Sequence, residues 1–165
     1  MLDEADYERE DAAPIDMLES YFAAHGWEHE RQDDEVIAKV KGSWTQYELR
    51  ALWRDEDSVI QFLAFPDIRV TDERRSAIYE AIGLINEQLW VGHFDMWTKD
   101  GIVMFRHALL LAGGVEVAGR QCEALLDAAL DTSERYFQAF QFVVWAGKSA
   151  RESLDAAMFE TVGEA

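Results

Sequence analysis

Residues 35–66 read EVIAKVKGSWTQYELRALWRDEDSVIQFLAFP, and the alternation inside this stretch decides the architecture. Val36, Ala38 and Val40 alternate with Ile37, Lys39 and Lys41, and Tyr47, Leu49, Ala51 and Trp53 alternate with Gln46, Glu48, Arg50 and Arg54. A period of two places successive side chains on opposite faces, so each run is a half-buried strand. Gly42-Ser43 and Asp55-Glu56-Asp57 supply the turns. The more apolar run Val59–Phe65 makes a central third strand, ended by Pro66, which has no N–H to give to a ladder. Connections this short join antiparallel neighbours.

On the N-terminal side, Pro14 suits a first helical turn, where a missing N–H costs nothing. Ile15, Leu18, Tyr21 and Phe22 then share one face, and Gly26 is placed to end the helix. On the C-terminal side, Thr71 is placed to cap a second helix, with Asp72 and Glu73 where the dipole favours negative charge. Its stripe of Ile78, Ala81, Ile82, Ile85 and Leu89 must cover something, and the sheet is the nearest apolar surface.

A second hairpin follows, His93–Thr98 and Ile102–Leu109, around Asp100-Gly101. If those two residues form the loop, Asp95 falls opposite Arg106, Met96 opposite Phe105 and Thr98 opposite Val103. That register puts an ion pair on one face and apolar pairs on the other.

After Gly113-Gly114 the pattern becomes helical. One helix carries Cys122, Leu125, Leu126 and Ala129; Asp131 with Glu134 resembles a capping box opening a second, which carries Phe137, Phe140, Val143 and Val144 and stops at Gly147. Ser149 and Glu152 form a second box before a short last helix with Leu154 and Met158, and residues 161–165 are expected to fray. The order α-βββ-α-ββ-α(αα) segregates helices from strands, which predicts an α+β domain: an antiparallel five-stranded sheet with helices packed on it. Residues 13–160 make one domain, preceded by an acidic arm, residues 1–12, that lacks apolar periodicity.

Composition narrows the partners. The 165 residues include 33 acids and 15 Lys+Arg, a net charge of −18, and 13 of the acids lie in residues 1–35 against two bases. Nucleic-acid binding needs a basic stripe that the pairs Arg74-Arg75 and Lys39/Lys41 do not make, and anionic membranes repel such a chain. No apolar run approaches the roughly 18 residues of a spanning helix. The opening MLDEAD has neither a basic nor an apolar signal-peptide region, and the single Cys122 allows no internal disulfide. A cytoplasmic protein is the expectation.

The element order, the Gly92-His93-Phe94-Asp95…Asp100-Gly101…Phe105-Arg106 hairpin and the tail Trp145-Ala146-Gly147-Lys148-Ser149-Ala150-Arg151-Glu152-Ser153-Leu154 are similar to the YbjN family. That family carries the label of a bacterial sensory transduction regulator. The resemblance runs from about Ile15 to Met158; Ala150 departs from it, standing where the family often has proline. It implies a fold like that of the type III secretion chaperones, small α+β proteins that often dimerise and bind extended client segments, and it brings no catalytic residues.

The residues themselves argue against catalysis. His25 and His29 are four apart but straddle Gly26, so one helix does not present both to a metal. Gly147-Lys148-Ser149 lacks the glycine a phosphate loop needs five residues earlier, where Phe142 stands. Asp33-Asp34-Glu35 and Asp55-Glu56-Asp57 sit in turns beside water, and Cys122 occupies an apolar helical position. No catalytic, cofactor or metal residue is assigned.

The surplus is aromatic: six Trp, nine Phe and five Tyr. Trp44, Trp53, Trp97 and Tyr47 fall on strands and Trp90 ends a helix. A sheet covered by helices on one face leaves the other open, and Trp97 shares the Asp95/Arg106 face. Trp97, together with Tyr136 and Trp145 outside the helical stripe, marks the expected interaction surface. The expected function is a non-enzymatic binding or regulatory module acting through a protein partner or self-association, including a homodimer. The alternatives are a chaperone-like binder of a client segment, or an enzyme with a site near His93, Asp95, Arg106 and His107.

Overall fold

The computed structural model describes residues 13–113 and 119–163, with side chains to Met158. The acidic arm, Gly114 and residues 164–165 lie outside the described residues. The elements run α1 (Pro14–Ala24), β1 (His29–Gln32), β2 (Glu35–Lys41), β3 (Gln46–Arg54), β4 (Val59–Phe65), a 3₁₀ turn (Asp72–Arg74), α2 (Arg75–Asn86), β5 (His93–Trp97), β6 (Ile102–Leu110), α3 (Gly119–Val144) and α4 (Ala150–Gly163). The strands form one antiparallel sheet in the order β1-β2-β3-β4-β6-β5. The α+β class and the central place of β4 are as the alternation implied.

The sheet has six strands rather than five. β1 is all polar, His-Glu-Arg-Gln, so it carries no hydrophobic alternation. It is held instead by a tight turn with Asp33 at φ +50 and by Arg31, whose guanidinium reaches Asp16 at 2.9 Å and Glu19 at 2.8 Å on α1. Those two carboxylates raise the Arg31 pKa, Asp16 contributing most.

Among the described residues the C-terminal third has two helices, not three. α3 runs unbroken through Asp131 because its buried stripe of Cys122, Leu125, Leu126, Ala129, Ser133, Tyr136, Phe137, Phe140 and Val143 is continuous, and no Gly or Pro interrupts it. Glu134, expected in a capping box, instead accepts a hydrogen bond from Ser43 N–H at 2.8 Å. Gly147 at φ +64 stops α3, with Lys148 N–H bonded back to Phe142 O at 3.2 Å, and Ser149 Oγ accepts from Glu152 N–H at 3.2 Å to open α4. Backbone helix continues through Gly163. At α2 the expected Thr71 side-chain cap does not form; the first turn is 3₁₀ and the α-helix starts at Arg75.

The second hairpin is slipped by two residues from the expected register. Its closing pair is Trp97↔Ile102, with Asp95↔Met104 and His93↔Arg106. The loop is Thr98–Gly101, since Gly101 N–H bonds to Trp97 O at 2.8 Å and Gly101 O accepts from Val70 N–H at 2.7 Å. That second bond ties the loop to the chain after β4 and sets the register from outside the hairpin. Gly101 lies at φ +65, and a Cβ there would run into the Val70 carbonyl. A slip of two keeps every side chain on its expected face, so Asp95 and Arg106 still meet, diagonally, at 3.6 Å.

Three helices, α1, α2 and α3, cover one face of the sheet, and α4 packs on α2 and α3. Ile15, Leu18 and Phe22 of α1, Ile78 and Ile85 of α2, and Phe137 and Phe140 of α3 share a core with Val36, Ala38, Leu49, Ala51, Ile60, Phe62, Phe94 and Phe105. Phe94 is the hub, edge-on to Phe105, Tyr136 and Phe140. Cys122 lies in this core as expected, and burial pushes its thiol pKa up to about 11.

Candidate functional site

Among the described residues the opposite face carries no helix. Leu63, Phe65 and Met104 form a separate apolar cluster there, joined only by Leu52 and Ile102 from neighbouring strands. They are nonetheless buried. Long side chains of the same sheet close over Phe65: Arg50 lies over its ring at 5.1 Å and Trp97 meets it edge-on at 5.3 Å. Arg50 is held in place by Glu48, at 3.0 Å from Nε and 2.9 Å from Nη2, and by Glu35 at 3.7 Å. The lid over Phe65 is therefore made of rotatable side chains rather than of secondary structure.

One irregularity opens this face. The β3–β4 ladder ends at Glu48↔Phe65. Pro66 cannot donate to a ladder, and Asp67 at φ +58 turns the chain. The chain then rejoins β6 two residues out of step: Arg69 bridges Ile102, and Val103 N–H bonds to Ile68 O at 3.1 Å. This bulge separates the start of β3 from residues 67–69. A cleft of about 340 Å³ fills the gap on the open face, lined by Lys39, Gln46, Glu48, Arg50, Phe65, Arg69, Trp97 and Ile102 among others. A second cleft of about 170 Å³ shares Asp67, Ile68 and Arg69 and is walled beyond them by Trp44, Phe137, Gln141 and Trp145. Residues 67–69 are thus a ridge between two clefts, each with an exposed tryptophan.

Residues 14–142 match the family described as "Putative bacterial sensory transduction regulator", YbjN. The chain belongs to the YbjN family. The crystal structure of YbjN from E. coli, titled a putative transcription regulator, superposes with a TM-score of 0.55 at 11% identity, covering 90% of this chain and 94% of that one. The chain of the ExsC–ExsE complex crystal structure aligns with a TM-score of 0.47 at 17% identity, covering 74% and 89%. No curated protein matches the sequence.

Within this YbjN domain the three expected surface aromatics part company. Trp97 is 40% exposed and Trp145 is 78% exposed, one in each cleft. Tyr136 is not at the surface: it is 4% exposed, packed on Phe94, with its hydroxyl 3.4 Å from Gln88 Oε1. It sits one helical turn from Ser133 and Phe140 on the buried stripe of α3, four residues before Phe140 and seven before Val143. Trp44, expected on a strand, stands in the β2–β3 turn at 46% exposure, beside the ridge. Trp90 is past the end of α2, fully exposed, and lines neither cleft. The ridge itself escaped sequence reasoning, although Pro66-Asp67 directly after a strand is its signal.

The residues weighed for catalysis do not converge on a cleft. His93, Asp95 and Arg106 share the open face, whereas His107 pairs with Phe62 on the helix-covered side. Burial, and secondarily the His93 charge, lower the His107 pKa. His25 stacks on Trp27 at 4.5 Å and His29 leans toward Glu19 at 3.9 Å, so the pair is split between a helix end and a strand. Among the described residues no group of three His, Cys, Asp or Glu is arranged to hold a metal, and no helix is long and apolar enough to cross a membrane.

The strand edge beside the open face is blocked. Asn86 Oδ1 accepts from Phe94 N–H at 2.8 Å and Asn86 Nδ2 donates to Phe94 O at 3.1 Å, so one side chain occupies both groups that Phe94 would offer a further strand. Asp95 Oδ1 takes the Met96 N–H at 2.8 Å. Docking by strand addition at β5 is disfavoured by this arrangement.

Proposed function

We propose that this YbjN-family protein is a non-catalytic cytoplasmic regulatory module that engages a protein partner through the open sheet face and the two clefts around residues 67–69. The observation that carries this reading is Trp97 and Trp145 standing exposed on either side of one bulged ridge, next to an apolar cluster whose Phe65 is covered by the movable side chains of Arg50 and Trp97. Tryptophan at a cleft contributes large contact area at low entropic cost, as interface anchors do. The residues weighed for catalysis lie outside both clefts, which supports binding over chemistry.

The test is photo-crosslinking in the native cell from two exposed positions. A photoreactive residue replacing Gln46, at the cleft, should capture one discrete adduct; the same residue replacing Glu123, on the helical side, should capture none. Equal capture from both positions, or capture from Glu123 alone, overturns the reading. An adduct of twice the monomer mass identifies the partner as a second copy.

A further inference from the structure

The charge of the open-face cleft runs against the charge of the chain. It is lined by Lys39, Arg50 and Arg69 against Glu48 and Asp67, in a protein with 33 acids and 15 bases. Glu48 is consumed by Arg50. Among the described residues neither Lys39 nor Arg69 forms an ion pair, and Lys41 follows Lys39 on the same face of β2. The register makes the grouping explicit: Arg69, Ile102 and Trp97 are successive cross-strand neighbours, and Lys39, Glu48 and Phe65 form the adjoining row. Unpaired cations therefore flank an aromatic floor of Phe65 and Trp97.

Salt decides which charges a bound segment would feel. The screening length is about 8 Å at physiological ionic strength, so acids elsewhere on the molecule count little and cleft charges dominate. Lys39 and Arg69, lacking counter-ions, gain most from a carboxylate that is partly desolvated against the aromatic rings.

We infer that this cleft receives an acidic segment of a partner protein, one carboxylate-bearing residue lying between Lys39 and Arg69 and an adjacent apolar or aromatic residue packing on Trp97 and Phe65. This rests on the docking reading above and names the chemistry of the partner. The commitment is to a segment supplied in trans; the chain's own arm, with Asp3, Glu4, Asp6, Glu8, Glu10 and Asp11, is the competing occupant.

The experiment uses the full chain with its tryptophan indoles labelled with ¹⁵N and the Trp97 signal assigned by Trp97→Phe. The probe is an acetylated tetrapeptide of three glutamates and one phenylalanine, alongside versions with glutamine or lysine for glutamate. The glutamate peptide should shift the Trp97 signal. Binding should weaken about tenfold or more with the glutamine peptide, and likewise in the exposed double variant Lys39→Gln/Arg69→Gln, as loss of charge-assisted hydrogen bonds requires. Equal binding of the glutamine or lysine peptide, or an unchanged double variant, overturns the inference. So does a gain above about tenfold when the six acids of the arm are neutralised in the full chain, since the arm is then the occupant. If Gln46 captures a partner while the peptides show no preference for acid, the partner chemistry fails and the docking face stands. If the acidic peptide binds while Gln46 captures nothing, the cleft chemistry stands and the wider docking reading fails.

Discussion

The two faces of this sheet are both apolar at their centres, yet they are closed in different ways. On one face Phe94 is enclosed by Phe105, Tyr136 and Phe140, contributed by two other elements and fixed by helix packing. On the other, Phe65 of the Leu63, Phe65 and Met104 cluster is covered by Arg50 and Trp97, side chains of the same sheet. Opening the first face requires a helix to leave, whereas uncovering Phe65 on the second requires rotamer changes and the loss of ion pairs whose side chains are 27–37% exposed. The first face is a core. The second has the burial of a core and the accessibility of a binding surface, which is why the functional reading is placed there.

The largest effect that would sharpen this contrast is Phe94→Ala. It should cost about 3–5 kcal/mol of stability by loss of burial and creation of a cavity, read from urea unfolding. A loss comparable to that of an exposed residue would mean the helical face is not the main core. Next is Asn86→Ala, which frees both polar groups of Phe94 at the β5 edge. It should cost about 1–3 kcal/mol and introduce concentration-dependent association, measured by sedimentation; a strictly monomer-like profile at unchanged stability would remove the edge-blocking role. Trp97→Ala should cost only about 1 kcal/mol, since the ring is 40% exposed, while abolishing the Gln46 adduct. An adduct that persists undiminished would break the link between this face and docking.

The smallest effect concerns pH. The folded-state pKa of His107 is depressed, chiefly by burial and then by the His93 charge. The unfolded chain therefore takes up this proton first. Stability from this group is fully present above the ordinary histidine value of about 6.5 and is lost as pH falls from there through the lower folded value. His107→Gln should flatten that acid-side fall, visible as a smaller change in urea midpoint between neutral and mildly acidic buffer. An identical fall in both proteins would contradict it.

What the sequence revealed, and what it hid, follows from where each signal is stored. The strands 35–41, 46–54 and 59–65 carry their own alternation, so their faces were readable without any partner. β1 is polar throughout, and its existence depends on Arg31 finding Asp16 and Glu19 across the fold, which no local pattern records. The hairpin register was readable only to within two residues because Val70, thirty residues away from that loop, holds Gly101. Period two forgave that slip, and Trp97 was assigned to its correct face. The Asp131–Glu134 spacing that resembles a cap lies inside a continuous helix, where packing along the whole stripe outweighs a local capping preference, whereas Tyr136, four residues before Phe140 and seven before Val143, was on the buried face by period alone. The ridge at residues 67–69 depends on how the chain rejoins β6 after Pro66, a tertiary event, so the pairing of Trp97 with Trp145 around it was out of reach.

The central claim is that the ridge with its flanking clefts is the surface covered in the cell. Oxidative footprinting of tryptophan tests it within a single molecule, because fully exposed Trp90 serves as an internal reference. Comparing labelling inside the native cell with labelling of the purified protein, the account predicts that Trp44, Trp97 and Trp145 become protected in the cell relative to Trp90. Unchanged labelling at all four, or protection confined to Trp90, would contradict it.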